Sequence, residues 1–192
     1  MKYGFDLDDT LADTASVINK YAIKFDKEYL NRTGELKDIN NSKSYYYFAE
    51  GLNWNRENIA KFFEIYYLEI LREVKIKPFV KETINKLKKA KNEIYIITAR
   101  RKRENEIVEK ITKDWLKNNG ILYDELYIAI KEKSKIVNHL KIDIFIDDSY
   151  ENCIEVKRNT NAKVYMLNTK FNIGILDNQI ERIDNINKLI FK

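Results

Sequence analysis

Cysteine is almost missing from this sequence: Cys153 stands alone, which excludes an intrachain disulfide and any cysteine-based zinc site. It reads as a buried thiol on a helix. Histidine also occurs once, as His139, in a predicted helix rather than at a strand end, and reads as a half-exposed helical residue rather than a general base. No apolar run approaches the roughly 20 residues that a membrane span requires. The first residues, Met1 to Asp6, lack the apolar stretch and small-residue cleavage site of a signal peptide, so the expected compartment is the cytoplasm. No repeat recurs at a fixed period.

What is present describes a globular chain. Of 192 residues, 44% are hydrophobic and 34% charged, enough for one well-buried core with a modest inserted subdomain. The net charge of +5 is thinly spread among abundant Lys, Ile and Asn. That is a compositional bias, and no stable nucleic-acid complex is expected from it. A monomer or homodimer is expected.

Five short apolar runs read as strands: Tyr3–Leu7, Glu93–Thr98, Glu125–Ala129, Asp143–Asp147 and Lys163–Leu167. Between most of them lie stretches with helical spacing, such as Val80, Ile84 and Leu87, or Ile107, Ile111, Trp115 and Leu116, or Ile136, Val137 and Leu140. Strands alternating with helices predict an α/β fold, a Rossmann-like parallel sheet of about five strands with helices on both faces. In such sheets ligands collect beyond the carboxyl ends of the strands. One segment breaks the alternation. Between Asp13 and Pro78, the only proline, the pattern is helical over Ala15–Tyr29 and Arg56–Val74, joined by a polar Asn31–Asn41 region. The expected division is a sheet unit of residues 1–13 and 78–192 with a helical insertion of residues 14–77. The insertion is rich in rings: Tyr45, Tyr46, Tyr47, Phe48, Trp54, Phe62, Phe63, Tyr66 and Tyr67. Most are expected to form its core, with one or two lining a substrate pocket that faces the sheet, and Phe48, Trp54 and Phe63 are the positions that test this.

Chemistry is concentrated at the strand ends. In Phe5-Asp6-Leu7-Asp8-Asp9-Thr10-Leu11, Asp6 and Asp8 are two apart where a strand runs into a loop, so both address one ligand. Clustered acids call for a cation, and all-oxygen ligands suit a hard ion such as Mg2+. The run Ile94-Tyr95-Ile96-Ile97-Thr98 is a buried strand ending in a hydroxyl, followed by Ala99, Arg100 and Arg101. Arg100 and Arg101 are read either as a bidentate phosphate clamp or as solvated charges at a helix start. Ile144-Phe145-Ile146 delivers the adjacent acids Asp147 and Asp148.

In this order the segments resemble the motifs of the haloacid dehalogenase superfamily, and the first, Asp6-Leu7-Asp8-Asp9-Thr10, resembles that of its phosphatase branch. The resemblance implies that Asp6 attacks phosphorus and becomes a phosphoaspartate, while Asp8 protonates the leaving oxygen and then activates water. It implies that Thr98 hydrogen-bonds the phosphoryl group and that a lysine before Ile142 balances phosphate and aspartate charge. Lys133 and Lys135 both qualify, and spacing favours Lys133. Substrate is then expected at Thr98, Ala99, Arg100 and Lys133. Magnesium is expected at Asp6, the Asp8 backbone carbonyl and Asp148, with Asp147 behind Asp148 or in its place.

The insertion resembles the type-one cap of that superfamily. Asp-Leu-Asp-Asp-Thr-Leu-Ala-Asp and Phe-Ile-Asp-Asp-Ser look most like the 5'(3')-deoxyribonucleotidase group and its bacterial relatives, although Ala99-Arg100 replaces the Ser-Pro often found there. The expected activity is hydrolysis of a small phosphate ester such as a nucleotide. The alternatives are a sugar phosphate or other small metabolite as substrate, phosphotransfer on the same chemistry, and a non-catalytic binding protein.

Overall fold

The computed structural model describes residues 1–43, 46–101 and 106–190. Tyr45 of the expected ring cluster therefore lies outside the described residues. The first strand, β1 (Lys2–Phe5), is followed by β2 (Ala12–Asp13), α1 (Thr14–Glu28), α2 (Tyr47–Gly51), α3 (Arg56–Glu73), β3 (Lys75–Ile76) and α4 (Val80–Lys89). Then come β4 (Glu93–Thr98), α5 (Ile107–Asn118), β5 (Glu125–Ile128), α6 (Lys133–Leu140), β6 (Ile144–Asp147), α7 (Tyr150–Asn159), β7 (Lys163–Leu167) and β8 (Glu181–Ile183), closed by a 3-10 turn at Ile186–Ile190.

The main sheet has six strands in the order β5-β4-β1-β6-β7-β8, and every pairing is parallel. The expected α/β parallel sheet is present. Its five strands are joined by β8, a short edge strand whose sequence Glu-Arg-Ile carries little apolar signal. From β1 the chain builds outward through β4 and β5, then crosses to β6 on the other side. The order therefore reverses at β1, and a parallel sheet opens its ligand crevice at such a reversal.

β1 sits in the middle of the sheet, and its Gly4 lies so close to its neighbours that an added Cβ would stand 3.1 Å from the Phe145 side chain. The strand ends sooner than the apolar run to Leu7 suggests. Asp9 takes a left-handed conformation, φ 58°, which Asp tolerates better than bulkier residues, and the backbone turns there.

α1 buries Ile18, Tyr21, Ala22 and Phe25, a stripe at three- and four-residue spacing. α3 begins at Asn55, whose side chain accepts a hydrogen bond from the Asn58 N–H at 2.9 Å, an N-cap. Its buried residues Phe62 and Phe63 face a ring cluster. Phe62 packs against Phe25 (5.8 Å between centroids), Phe48 (5.4 Å), Trp54 (5.3 Å) and Phe63 (5.1 Å). Beneath them Asp26 is buried, accepting from the Trp54 indole N–H at 2.7 Å and the Gly34 N–H at 2.9 Å.

The helical segment is joined to the sheet by two strands that pair with each other, which sequence reasoning did not anticipate: β2 and β3 are antiparallel, Ala12 opposite Ile76 and Asp13 opposite Lys75. At two residues each they carry no periodicity to read. Among the described residues, no helix is long and apolar enough to cross a membrane.

Phe62 is fully buried and surrounded by rings, so its loss leaves a cavity. Phe62→Ala should cost about 3–5 kcal/mol in urea unfolding. A loss below about 1 kcal/mol would show that the rings do not form a packed core.

Candidate active site

The carboxyl ends of the three central strands converge. Asp6 follows β1 and anchors to β6 through its N–H, which donates to the Ile146 carbonyl at 2.9 Å. Thr98 ends β4 and is buried. Asp147 ends β6, with Asp148 next to it.

Lys133, the first residue of α6, points into this convergence. Its ammonium donates to Asp6 Oδ1 and, at 2.7 Å, to Asp147 Oδ2, with its side chain 1% exposed. Lys135 instead points to solvent and pairs with Glu132 at 2.7 Å, so the choice that spacing favoured is the lysine that meets the acids. Burial alone would discharge the Lys133 ammonium, but Asp147 and Asp6 outweigh it and hold its pKa above the usual lysine range.

The acids differ in how completely they are satisfied. Asp147 accepts from the Ser149 N–H at 2.8 Å and from the Asn152 amide at 3.1 and 3.2 Å, besides Lys133. Asp148 Oδ1 accepts from the Thr10 hydroxyl at 3.2 Å. Burial first, then the charges of Asp147, Asp9 and Asp6, push the Asp148 carboxyl well above the ordinary carboxylate range. Asp6 is pushed up to about 8 by burial, against the pull of Lys133 and with the help of Asp147 and Asp8.

Carboxylate oxygens of Asp6, Asp147 and Asp148 lie within 4.8 Å of one another. Three buried acids facing one ammonium carry excess negative charge, and an all-oxygen set of this kind fits a hard divalent cation. Asp8 contributes no carboxylate to that group. Its side chain is turned to Arg100, whose Nε donates to Oδ2 at 2.9 Å and Nη2 to Oδ1 at 2.8 Å. Burial works against the Asp8 charge, but Arg100 outweighs it and holds the carboxyl below its ordinary pKa.

Above the acids opens a cavity of about 280 Å³. Asp6, Asp8, Thr98 and Lys133 lie at its floor, and Phe63, Tyr67, Ile70 and Leu71 of α3 at its wall. Thr98, Ala99 and Arg100 all border it. Of the rings named as substrate candidates, only Phe63 reaches the cavity. Phe48 is fully buried and Trp54 holds Asp26, so both belong to the core. Tyr67 and Tyr46 also border the cavity; the face of Tyr67 depends on how α3 is rotated and that of Tyr46 on where the turn into α2 lies, neither of which residue type reveals. Arg101 is tied to the same rings: its N–H donates to the Tyr67 hydroxyl at 3.0 Å and its guanidinium to the Tyr46 hydroxyl at 3.3 Å. His139 is exposed on α6, and Cys153 is buried on α7.

Asp148 is buried beside the acids Asp147, Asp9 and Asp6, so neutralising it should relieve the protein when no cation is present. Asp148→Asn should melt about 2–6 °C above the wild type in chelator, and any rise that a divalent cation gives the wild type should be smaller in the variant. A lower melting temperature in chelator would show that the protein's own groups satisfy this carboxylate.

Residues 4–118 match the haloacid dehalogenase-like hydrolase family. A nucleotidase from Clostridium acetobutylicum is 30% identical over 181 residues, covering 94% of this chain and 86% of the relative. Among solved structures, a haloacid dehalogenase-like hydrolase from Streptococcus pneumoniae superposes with a TM-score of 0.67 at 14% identity, over 99% of this chain and 96% of that one. A subfamily IA hydrolase of the same superfamily from Geobacter sulfurreducens superposes with a TM-score of 0.61 at 12% identity, over 99% and 97%. At such identities the superpositions speak for the fold alone. The family match covers more than half of the chain and the curated relative spans nearly all of it, and on these grounds the chain belongs to the haloacid dehalogenase-like hydrolases.

Proposed function

We propose that this protein is a magnesium-dependent phosphomonoester hydrolase that works through a phosphoaspartate on Asp6 and takes a nucleotide as substrate. The observation that carries the reading is the grouping of Asp6 with Lys133, Asp147 and Asp148 at the floor of the cavity. The nucleotidase name of the Clostridium relative supports the substrate class.

In the first step an Asp6 oxygen attacks phosphorus in line, the P–O ester bond breaks, and the leaving alkoxide takes a proton from Asp8, which has to be protonated against the pull of Arg100 to enter this step. In the second, Asp8 removes a proton from water as the water oxygen attacks phosphorus, the acyl phosphate bond breaks and Asp6 returns to a carboxylate. Lys133 offsets the charge of phosphate and nucleophile, and the Thr98 hydroxyl donates to a phosphoryl oxygen. Asp6, Asp148 and the Asp8 backbone carbonyl would hold the cation, with Asp147 braced behind by Ser149 and Asn152. A magnesium ion there neutralises the repulsion between acids and phosphate and polarises the phosphoryl group.

The wall of the cavity suits the remainder of a nucleotide. Phe63, Ile70 and Leu71 line it with apolar surface, and a ring there could stack on a nucleobase. Binding energy from this remote group can orient the phosphate.

Phosphate release over nucleoside monophosphates, sugar phosphates and phosphoamino acids, with magnesium and with chelator, tests the reading. Turnover should be greatest on a nucleotide and vanish in chelator. Asp6→Asn should fold and lose several orders of magnitude in rate, because an amide is no nucleophile toward phosphorus. Turnover by Asp6→Asn near the wild-type level would sink the mechanism. Phe63→Ala should lower kcat/KM on the preferred nucleotide about five- to a hundredfold, the value of one stacked ring, while sparing a small aryl phosphate. Equal losses on both would make Phe63 a packing residue only.

A further inference from the structure

Arg100 borders the cavity and by residue type would be taken for a phosphate clamp, yet its guanidinium is spoken for. Nε and Nη2 form a fork on the two Asp8 oxygens, at 2.9 and 2.8 Å, and Nη1 donates to the Thr112 hydroxyl at 3.1 Å. Thr112 in turn donates to the Val108 carbonyl at 2.7 Å, one turn back on α5. The Arg100 side chain is 1% exposed and that of Asp8 17%, so the pair is shielded from solvent on the arginine side and open toward the cavity on the other. Thr14, the first residue of α1, donates to Asp8 Oδ1 at 2.7 Å. The Asp8 carboxylate is thus held from the loop after β4, from α1 and, through Arg100, from α5.

We infer that Arg100 is a positioning residue that acts through Asp8, setting the place and plane of the carboxylate that handles the proton, and that it is not a ligand of the phosphate. The inference rests on the hydrolase reading above. A bidentate fork restrains the rotation of a carboxylate as well as its position, whereas a lysine would offer a point charge to one oxygen and leave the plane free. Proton transfer requires hydrogen-bond reach in a defined direction, and a misplacement of about 1 Å in a reacting group costs on the order of a hundredfold.

The test is a kinetic double-mutant cycle on the full chain with magnesium, using an aryl phosphate as substrate and inorganic phosphate as inhibitor. Phosphate release that Asp6→Asn abolishes first secures the underlying hydrolase reading. Arg100→Lys should then lower kcat about ten- to a hundredfold with KM nearly unchanged, and should add less than about a twofold loss in an Asp8→Asn background, since the group it acts through is gone. The inhibition constant of inorganic phosphate should stay within about twofold in both backgrounds, because the phosphate does not touch Arg100. Losses that multiply in the two backgrounds, or phosphate inhibition weakened tenfold or more, would overturn the proposal and make Arg100 an anion clamp. Should Arg100→Lys fail to fold, Arg100→Gln in both backgrounds gives the same comparison and the same decision. If the wild-type chain released no phosphate, the hydrolase reading itself would fall and the inference with it. Additive losses in an active enzyme would remove only the role given to Arg100.

Discussion

A buried ammonium lies between two carboxylates at the centre of this molecule, and the placement of the surrounding elements follows from the need to bring them together. Lys133 meets Asp6 and Asp147 with almost no access to water. Removing one partner of such a contact leaves an uncompensated charge, at a cost of about 3–5 kcal/mol. The three residues come from α6, the end of β1 and the end of β6. They meet because β1 and β6 are neighbours in the sheet, Phe5 opposite Ile146, and because α6 enters the face just before β6. Both oxygens of Asp147 are further fixed by the turn into α7, Oδ1 through the Ser149 N–H and both through the Asn152 amide. The charge cluster is thereby preorganised, and the work of electrostatic stabilisation is done when the protein folds rather than when substrate arrives.

The loop that carries the acids also carries the helical segment. Asp9, in its left-handed conformation, accepts the Ala15 N–H at 2.7 Å at the start of α1, and its carbonyl accepts from the Lys77 ammonium on the returning connection. Asp8 is tied to α1 through Thr14. Further out, the Trp115 indole donates to the Val74 carbonyl at 2.7 Å, and the Arg101 N–H to the Tyr67 hydroxyl. The acids at the floor of the cavity and the contacts that anchor the helical segment are thus carried by consecutive residues of one loop.

Much of this was legible in the chain because its causes are local. An apolar run ending in acids places Asp6, Asp147 and Asp148 at strand ends whatever else the chain does, and helical spacing places α1 and α3 to within a residue and marks the stretches that become α4 and α5. The family resemblance called for a lysine before Ile142 and spacing preferred Lys133 to Lys135, and the structure puts Lys133 among the acids and Lys135 beside Glu132. Other features were beyond reach. Two-residue strands such as β2 and β3 have no period to detect. β8 joins the sheet edge because a partner waits there, since Glu181-Arg182-Ile183 has little strand character of its own. Phe62 and Phe63 are adjacent and equally apolar, yet only Phe63 borders the cavity, a matter of about 100° of helix rotation.

By itself, then, the sequence determined an α/β chain with a helical insertion, acids and a hydroxyl at the carboxyl ends of its central strands, and a lysine on the helix before the last of them. These depend on periodicity and on covalent order, which are local. Only the tertiary structure decided what each charged group faces. Arg100 is 92 residues from Asp8 and Lys133 is 127 from Asp6, and in both cases the partner is selected by which strands are neighbours and by how deeply the pair is buried. Coulombic attraction is long-ranged but weak in water. It becomes specific where folding excludes water, and for that reason the pairing of Arg100 with Asp8 could be seen only once the chain had closed over it.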